Sequence, residues 1–201
     1  MTHSKEVGYV TIGVDIQNDF CPGGTLAVPN GDAVVTPFNT IAAETRARGG
    51  KVVFTRDWHQ SETTHFNDWP VHCVQDTNGA AFHPALDVRA EDIIISKGMG
   101  AEENAYSGFD GVDAHGITLE DIIETELAHH EKVIIQIGGL ATDYCVKATV
   151  LDALQLKARS TKTVAVIAIA NAMKAVNINS NDEHDAIEAM KHAGAEFQEM
   201  R

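Results

Sequence analysis

A cysteine, two aspartates, a lysine and several histidines are the side chains of this sequence that could carry out a reaction. Cys145 follows the apolar run 132–137 and begins a helical pattern. A thiol at a helix N-terminus meets the positive end of the helix dipole, which favours the thiolate. The N–H groups of the turn 140–145 are suited to an oxyanion hole. Cys145 is therefore a candidate nucleophile, although a lone cysteine can equally be a small buried apolar residue, as we expect for Cys21 and Cys73.

Asp15 and Lys97 each stand at the end of an apolar run. A carboxylate at the end of a buried strand is costly without a partner, and beside a thiol it can accept the proton. Lys97 can pair with Asp15, or it can place positive charge beside a thiolate and an oxyanion. Two alternatives remain open at this point. Asp15 could cap a turn at Asn18, and Lys97 could be a solvated residue after a strand.

The long segment 57–86 contains a different kind of signal. Asp57 and His59 are two residues apart, so in an extended chain both side chains point to the same side. His65 and His72 follow in the same loop. One carboxylate and up to three imidazoles suit Zn, Fe(II) or Mn, with solvent at the remaining positions. The alternative is chance clustering, because the chain has 10 histidines.

Short apolar runs that alternate with helical patterns predict the elements that must position these side chains. Nearly continuous hydrophobicity is typical of strands that are covered on both faces. Such runs occupy residues 9–14, 51–55, 92–96, 132–137 and 163–169. Helical patterns occupy residues 36–48, 118–129, 143–157 and 181–193. This alternation predicts an α/β fold, a three-layer α/β/α sandwich around a mainly parallel open sheet.

The predicted strands bring the candidate side chains to one edge of the sheet. In open parallel sheets, ligands bind beyond the carboxyl ends of the strands. The first strand runs into Asp15, the second into Asp57 and His59, the third into Lys97, and the fourth into the turn before Cys145. The convergence of four strand ends favours a reactive site more strongly than any one of these residues does.

Length and composition limit the remaining possibilities. At 201 residues the chain fits one domain, 1–201, with the candidate metal-binding loop at about residues 57–86. Its 15 lysines and arginines against 29 aspartates and glutamates give a formal net charge of −14, which argues against nucleic acid as a partner.

The sequence also predicts no membrane partner, because no apolar run reaches the roughly 18 residues of a bilayer span. The N-terminal segment is polar and does not resemble a signal peptide, and the three cysteines lack the spacing of a disulfide framework. Both features predict a cytoplasmic protein. Monomer and homo-oligomer both stay open.

The candidate residues lie in longer motifs that resemble the nicotinamidase/pyrazinamidase family within the isochorismatase-like hydrolases. The resemblance runs from about residue 9 to residue 197. DxQNDF and a cysteine after ATD are shared by the wider superfamily, whereas the DxH loop, WPxHC and YSGF are typical of nicotinamidases. The matching motifs are DIQNDFCPGGTLAVPNGD (15–32), DWHQSETTHF (57–66), WPVHCVQDTNGAAFHPAL (69–86), SKG (96–98), AYSGFDG (105–111) and GLATDYCVKATVLDAL (139–154).

The resemblance assigns roles to the candidate residues. It implies a catalytic triad of Asp15, Lys97 and Cys145. It also implies an oxyanion hole formed by the backbone N–H groups of Ala141 and Cys145, with a cis peptide bond between Leu140 and Ala141.

A metal site and a substrate pocket are implied as well. The metal would be one divalent ion, Zn with Fe or Mn as alternatives. Its ligands would be Asp57, His59 and His72, joined in some family members by His65. The aromatic pocket around a pyridine ring would be lined by Phe20, Trp69 and Tyr106.

The implied reaction is hydrolysis of a small molecule, nicotinamide, to nicotinate and ammonia in NAD salvage, through a thioester on Cys145. Pyrazinamide would be a further substrate. One alternative is a metal-independent superfamily amidohydrolase that acts on another small amide or ureide, and the metal loop argues against it. The other is a non-catalytic metal-binding or thiol-binding protein, and the presence of Asp15 and Lys97 beside the thiol argues against that.

Overall fold

The computed structural model describes residues 5–102 and 105–200. Six strands within these residues form one sheet in the order β3-β2-β1-β4-β5-β6, and every neighbouring pair is parallel. The strands are β1 Lys5–Val14, β2 Lys51–Asp57, β3 Ile93–Lys97, β4 His130–Leu140, β5 Thr163–Lys174 and β6 Glu196–Gln198. The predicted α/β fold with an open parallel sheet is confirmed.

Four α-helices connect the strands, close to where the helical patterns predicted them. They are α1 Val35–Ala47, α2 Leu119–His129, α3 Lys147–Arg159 and α4 Asp182–His192. The beginning of α2 shows how local sequence sets a helix boundary. The Thr118 hydroxyl accepts the N–H of Asp121 at 3.1 Å, and the Asp121 carboxylate accepts the N–H of Thr118 at 2.9 Å. No described helix combines the length and the apolar character that crossing a membrane requires.

The helices cover both faces of the sheet and create two apolar cores. On one face, α1 buries Phe38 and Ile41 against Phe54 of β2. On the other face, α2 and α3 pack residues such as Ile123 against the inner strands, and α4 adds Met190. These cores make the three layers of the predicted sandwich, because each helix buries one apolar stripe against the sheet.

Two elements differ from the sequence prediction. The helix predicted at 143–157 begins with a π-helical turn, Thr142–Val146, and becomes α-helical only at Lys147. The short strand β6, which pairs with β5 through Ile167 and Glu196, was not predicted. Three residues are too few for a periodic pattern, so pairing with β5 rather than local sequence defines this strand.

The order of the strands creates a crevice beside β1. The chain passes from β1 to β2 and β3 on one side of the sheet, and then crosses to β4 on the other side of β1. Ligand sites of open α/β sheets lie at such a reversal, beyond the carboxyl ends of the strands. Asp15 follows β1 and Cys145 follows β4, so the fold places both residues at the reversal.

Candidate active site

Asp15, Lys97 and Cys145 meet at the carboxyl edge of the sheet. Lys97 Nζ lies 2.9 Å from Asp15 Oδ2 and 3.6 Å from Cys145 Sγ. The exposed fractions of the three residues are 0%, 1% and 8%. Three residues that are far apart in sequence therefore form one buried cluster of an acid, a cation and a thiol.

The carboxylate of Asp15 is held by groups from two neighbouring strands. Its Oδ1 accepts a hydrogen bond of 2.6 Å from the Thr55 hydroxyl, and its Oδ2 faces Lys97. The Asp15 side chain therefore enters the cluster, and the alternative of a cap on the turn at Asn18 is wrong. Burial raises the pKa of Asp15, with Lys97 opposing and Asp57 adding to the rise.

Lys97 is surrounded by acceptors. Its Nζ contacts a carboxylate oxygen of Asp57 as well as Asp15, and it donates to the carbonyl oxygen of Ala105 at 3.3 Å. Burial by itself would lower the pKa of Lys97, but the two carboxylates raise it well above the usual value. Lys97 is therefore a buried ammonium group, and the alternative of a solvated lysine is wrong.

Cys145 lies in the π-helical turn that leads into α3. Its carbonyl oxygen accepts the hydroxyl of Thr149 at 2.7 Å, and that hydroxyl accepts the N–H of Gly108 at 2.9 Å. Thr149 thus ties the AYSGFDG motif to the nucleophile turn.

The protonation state of Cys145 differs from the sequence expectation. Burial raises the pKa of the thiol well above its usual value; Lys97 opposes this rise, and Asp15 and Asp57 add to it. The expectation that the helix terminus favours the thiolate is wrong for this resting state, because desolvation and two carboxylates act in the opposite direction. The resting thiol is neutral and needs a base.

The turn between β4 and Cys145 contains the expected cis peptide bond between Leu140 and Ala141. The carbonyl oxygen of Ala141 accepts the N–H groups of Tyr144 and Val146, both at 3.1 Å. This arrangement folds the backbone of the turn around the mouth of a pocket that Ala141 and Cys145 both line. Their N–H groups remain the predicted oxyanion hole.

Two histidines turn one ring nitrogen each toward Asp57. His59 Nδ1 lies 2.9 Å from the carbonyl oxygen of Gly98, and His72 Nδ1 lies 2.7 Å from that of Pro70. Each Nδ1 therefore donates to a backbone carbonyl oxygen, which orients the ring so that Nε2 faces Asp57. The Nε2 atoms lie 3.6 and 3.8 Å from Asp57 Oδ2. His59 Nε2 is buried and has no hydrogen-bond partner in the described part of the chain.

His65 completes a cluster of three imidazoles. Ligand atoms of His59, His65 and His72 lie within 4.8 Å of one another, and all three residues are buried. Burial alone would raise the pKa of Asp57, but the ammonium group of Lys97 holds it well below its usual value. A buried carboxylate beside a cluster of imidazoles is a donor set that fits a divalent metal ion. The residues brought together are those that the sequence predicted.

A second group of potential ligands holds a different cation. Oxygen atoms of Asp15 and Asp57 and the sulfur of Cys145 also lie within 4.8 Å of one another. The ammonium group of Lys97 contacts all three of these side chains. Lysine therefore supplies the positive charge of this second group.

A small pocket, part of it open to solvent, leads to Cys145 and to two of the histidines, His65 and His72. Phe20, Trp69 and Tyr106 line it, as expected, and Trp69 Nε1 donates to the Tyr106 hydroxyl at 3.1 Å. The aromatic side of the pocket is thus held in place by a hydrogen bond.

Sequence reasoning missed several pocket residues. Tyr144, whose ring centroid lies 5.1 Å from that of Trp69, adjoins Cys145 in the motif, and this adjacency was the available signal. Val176 has no such local signal. It reaches the pocket because the Asp143 carboxylate accepts its N–H at 3.0 Å. The pocket residues that were not predicted are Leu26, Val28, Leu140, Tyr144 and Val176.

The other two cysteines are buried free thiols that do not line this pocket. Burial, with a contribution from Asp32, raises the pKa of Cys21 to about 11. Burial and nearby carboxylates raise the pKa of Cys73 well above its usual value. Both residues fit the structural role expected for them, because neither lines the pocket that leads to Cys145 and Lys97 contacts neither thiol.

The doubly wound sheet, with its polar cluster at the strand reversal, defines an α/β protein of the class whose ligand sites lie at such a crevice. Within this class, the chain belongs to the isochorismatase family. The family model described as Isochorismatase domain matches residues 9–201.

Relatives within this family are similar over most of their length. The chain is 36% identical to the nicotinamidase of Escherichia coli K12 over 201 residues, which cover 90% of each protein. It is 41% identical to the nicotinamidase/pyrazinamidase of Mycobacterium tuberculosis H37Rv over 149 residues, 71% of this chain and 76% of that protein. The crystal structure of the Pyrococcus horikoshii pyrazinamidase in complex with zinc superposes with a TM-score of 0.80 at 36% identity, covering 95% of this chain and 98% of that one. These similarities confirm the resemblance that the motifs indicated.

Proposed function

We propose that this protein is a nicotinamidase, which hydrolyses nicotinamide to nicotinate and ammonia and also deamidates pyrazinamide. One observation carries the proposal. Lys97 Nζ contacts Asp15, Asp57 and Cys145 together, so that an acid, a thiol and a histidine cluster adjoin one small pocket. The nicotinamidases and pyrazinamidase among the relatives support the choice of substrate.

The first half of the reaction uses Asp15 as the base. A carboxylate oxygen of Asp15 lies within 4.8 Å of Cys145 Sγ and accepts the thiol proton as sulfur attacks the carboxamide carbon. A C–S bond forms, and the carbonyl π electrons move to oxygen. When the tetrahedral intermediate collapses, the C–N bond breaks and Asp15 returns its proton to the leaving ammonia. Lys97 stabilises the negative charge while it lies on sulfur or on Asp15.

Water completes the turnover. Asp15 accepts a proton from water, which attacks the thioester. As the C–S bond breaks, Asp15 returns this proton to the sulfur of Cys145, the product loses its carboxyl proton to solvent as nicotinate, and the free thiol is restored. In both halves the developing oxyanion would be bound by the N–H groups of Ala141 and Cys145. Loss of one such donor typically slows acyl transfer by about 10²–10³-fold.

The metal site would be formed by Asp57, His59 and His72, together with His65. We propose Zn, with Fe or Mn as alternatives, because the donor set fits Zn and because the pyrazinamidase neighbour is described in complex with zinc. When bound, the ion would act as a Lewis acid for the ring nitrogen and orient the substrate. Phe20, Trp69 and Tyr106 would enclose the flat ring, and this pocket is what selects an aromatic carboxamide.

The decisive experiment compares ammonia release from nicotinamide and benzamide before and after chelation, with Cys145→Ala as the control. Nicotinamide should be hydrolysed faster, in a metal-dependent manner, because benzamide has no ring nitrogen. Equal turnover of the two amides would disprove the contact between ring and metal. Activity retained in Cys145→Ala would disprove the covalent route, and chelator-resistant activity would favour a metal-independent amidohydrolase.

The cellular setting is part of the same proposal. Nicotinate released by this reaction would feed NAD salvage. Three free thiols suit a reducing compartment, which supports the cytoplasm as the location.

A further inference from the structure

The DIQNDF motif contains two buried polar side chains that the mechanism does not use. Asp15 belongs to the reaction, but Gln17 and Asp19 turn away from the pocket toward the backbone of the loop 57–86. We propose that Gln17 and Asp19 are positioning residues that hold the backbone of this loop so that its metal ligands converge. This inference rests on the metal site of the proposed function.

Gln17 binds the main chain of Asp57 on both sides. Its Oε1 accepts the N–H of Asp57 at 2.8 Å, and its Nε2 donates to the carbonyl oxygen of Asp57 at 2.8 Å. The same Nε2 donates to the carbonyl oxygen of Ala80 at 2.9 Å. Gln17 is fully buried, with 0% exposure, so all of its hydrogen-bonding capacity toward the loop is sheltered from water.

The position of Asp57 explains why such a side chain is needed. Strand β1 ends at Val14, and its last pairing with β2 joins Gly13 and Phe54. The end of β2 therefore extends past the end of β1. Backbone N–H and carbonyl groups that are buried there need other partners. The amide of Gln17 takes the place of the missing strand. It fixes the backbone from which the Asp57 carboxylate reaches the histidines.

Asp19 acts in the same way on the second half of the loop. Its Oδ2 accepts the N–H of Cys73, the residue after His72, at 2.7 Å, and its Oδ1 accepts the N–H of Thr25 at 3.3 Å. The carbonyl oxygen of Cys73 accepts the N–H of His59 at 3.0 Å. Asp19 therefore holds the backbone junction that joins the two histidine segments.

These contacts act on metal affinity through geometry. The predicted ligands come from separate parts of the loop. Gln17 bonds to the backbone of Asp57, and Asp19 bonds to the backbone of Cys73, the residue after His72, so neither touches a ligand atom. Removing groups that orient metal ligands typically costs about 10–100-fold in affinity. We expect losses of that size from Gln17→Met, which is similar in length and has no hydrogen-bonding amide, and from Asp19→Asn, which retains one acceptor.

The experiment measures Zn²⁺ affinity by competition with a chromophoric chelator, and the visible spectrum after Co²⁺ substitution, in the full chain. Gln136→Met is the matched control. Gln136 is a glutamine of β4 with 6% exposure, and it bonds to Thr11 at 3.1 Å rather than to the loop. Gln136→Met should retain wild-type Zn²⁺ affinity and an unchanged Co²⁺ spectrum, while Gln17→Met and Asp19→Asn lose affinity and change the spectrum.

Wild-type affinity in folded Gln17→Met and Asp19→Asn would overturn the inference, and so would an equal loss in Gln136→Met. If Gln17→Met does not fold, the Zn²⁺ affinity of Asp19→Asn tests the inference. A wild-type chain that binds no Zn²⁺ would overturn the inference as well. Failure of the proposed function is a separate result, namely a chain that binds Zn²⁺ but releases no ammonia.

Discussion

Lys97 and Asp57 connect the thiol cluster to the histidine cluster. One oxygen of the Asp57 carboxylate contacts Lys97 Nζ, while the other lies 3.6 Å from His59 Nε2 and 3.8 Å from His72 Nε2. The same ammonium group lies 3.6 Å from Cys145 Sγ. A single carboxylate and a single lysine therefore set the distance between the nucleophile and the histidines.

Lys97→Met should destabilise the protein and abolish its activity. This change leaves the carboxylates of Asp15 and Asp57 buried without a lysine cation, and loss of one partner of a buried ion pair typically costs about 3–5 kcal/mol. Denaturant unfolding should show a decrease of about that size in the free energy of unfolding, and ammonia release should be abolished. Lys191→Met is the control, because Lys191 pairs with Glu188 on an exposed helix face and should change stability by less than about 1 kcal/mol. Wild-type stability in Lys97→Met would contradict the ion cluster.

Thr55→Val should shift the pH dependence of the reaction. The Thr55 hydroxyl stabilises the charged form of Asp15 through the bond of 2.6 Å, so its loss should raise the already elevated pKa of Asp15 further. Asp15 must be ionised to act as the base, and activity is lost as the pH falls through its pKa. The acidic limb of kcat/KM should therefore move to higher pH.

The pH profile needs two controls. Metal content is measured at each pH, because metal loss would produce an acidic limb of its own. Thr45→Val removes another buried hydroxyl, which lies 2.6 Å from that of Thr11 and outside the site, and it should leave the limb in place. An unchanged limb in Thr55→Val would show that Thr55 does not influence the base.

Gly98→Ala should weaken metal binding. Gly98 has a φ of +65°, and its carbonyl oxygen contacts His59 Nδ1 at 2.9 Å. An added Cβ would press into the imidazole of His59. We expect Zn²⁺ affinity to fall by about 10-fold or more. Gly116→Ala is the control. Gly116 also has a positive φ, +82°, but nothing lies near its Cβ position, so this variant shares the backbone strain of Gly98→Ala without the contact with His59. Equal Zn²⁺ affinities in the two variants would rule out this role of Gly98.

Asp143→Ala should weaken substrate binding through Val176. The Asp143 carboxylate accepts the N–H groups of Val176 at 3.0 Å and of Asn177 at 2.9 Å, which holds Val176 in the pocket wall. We expect a higher KM for nicotinamide in Asp143→Ala and in Val176→Ala. The double variant should show less than the sum of the two effects, with a coupling of at least about 0.5 kcal/mol, because both changes disrupt the same wall. Strict additivity in the double-mutant cycle would refute this connection.

Local sequence was sufficient for most of the fold because the relevant signals are local. Continuous apolar runs predicted the first five strands, and the helical pattern at 118–129 predicted α2, whose beginning is capped by the Thr118 and Asp121 pair. The ends of β4 and β5 extend beyond the predictions, to Leu140 and Lys174. Pairing between the strands maintains these ends, although their sequence is less apolar.

The sequence by itself determined which residue types follow the predicted strands. It also determined that they meet at one edge of the sheet, because parallel strands bring their carboxyl ends together. Only the tertiary structure decided the protonation state, the contacts and the surroundings of those residues. The neutral thiol of Cys145, the link from Lys97 to Asp57 and the place of Val176 in the pocket all depend on burial and on neighbours distant in the chain. Desolvation and proximity are properties of the packed molecule, so no local pattern encodes them.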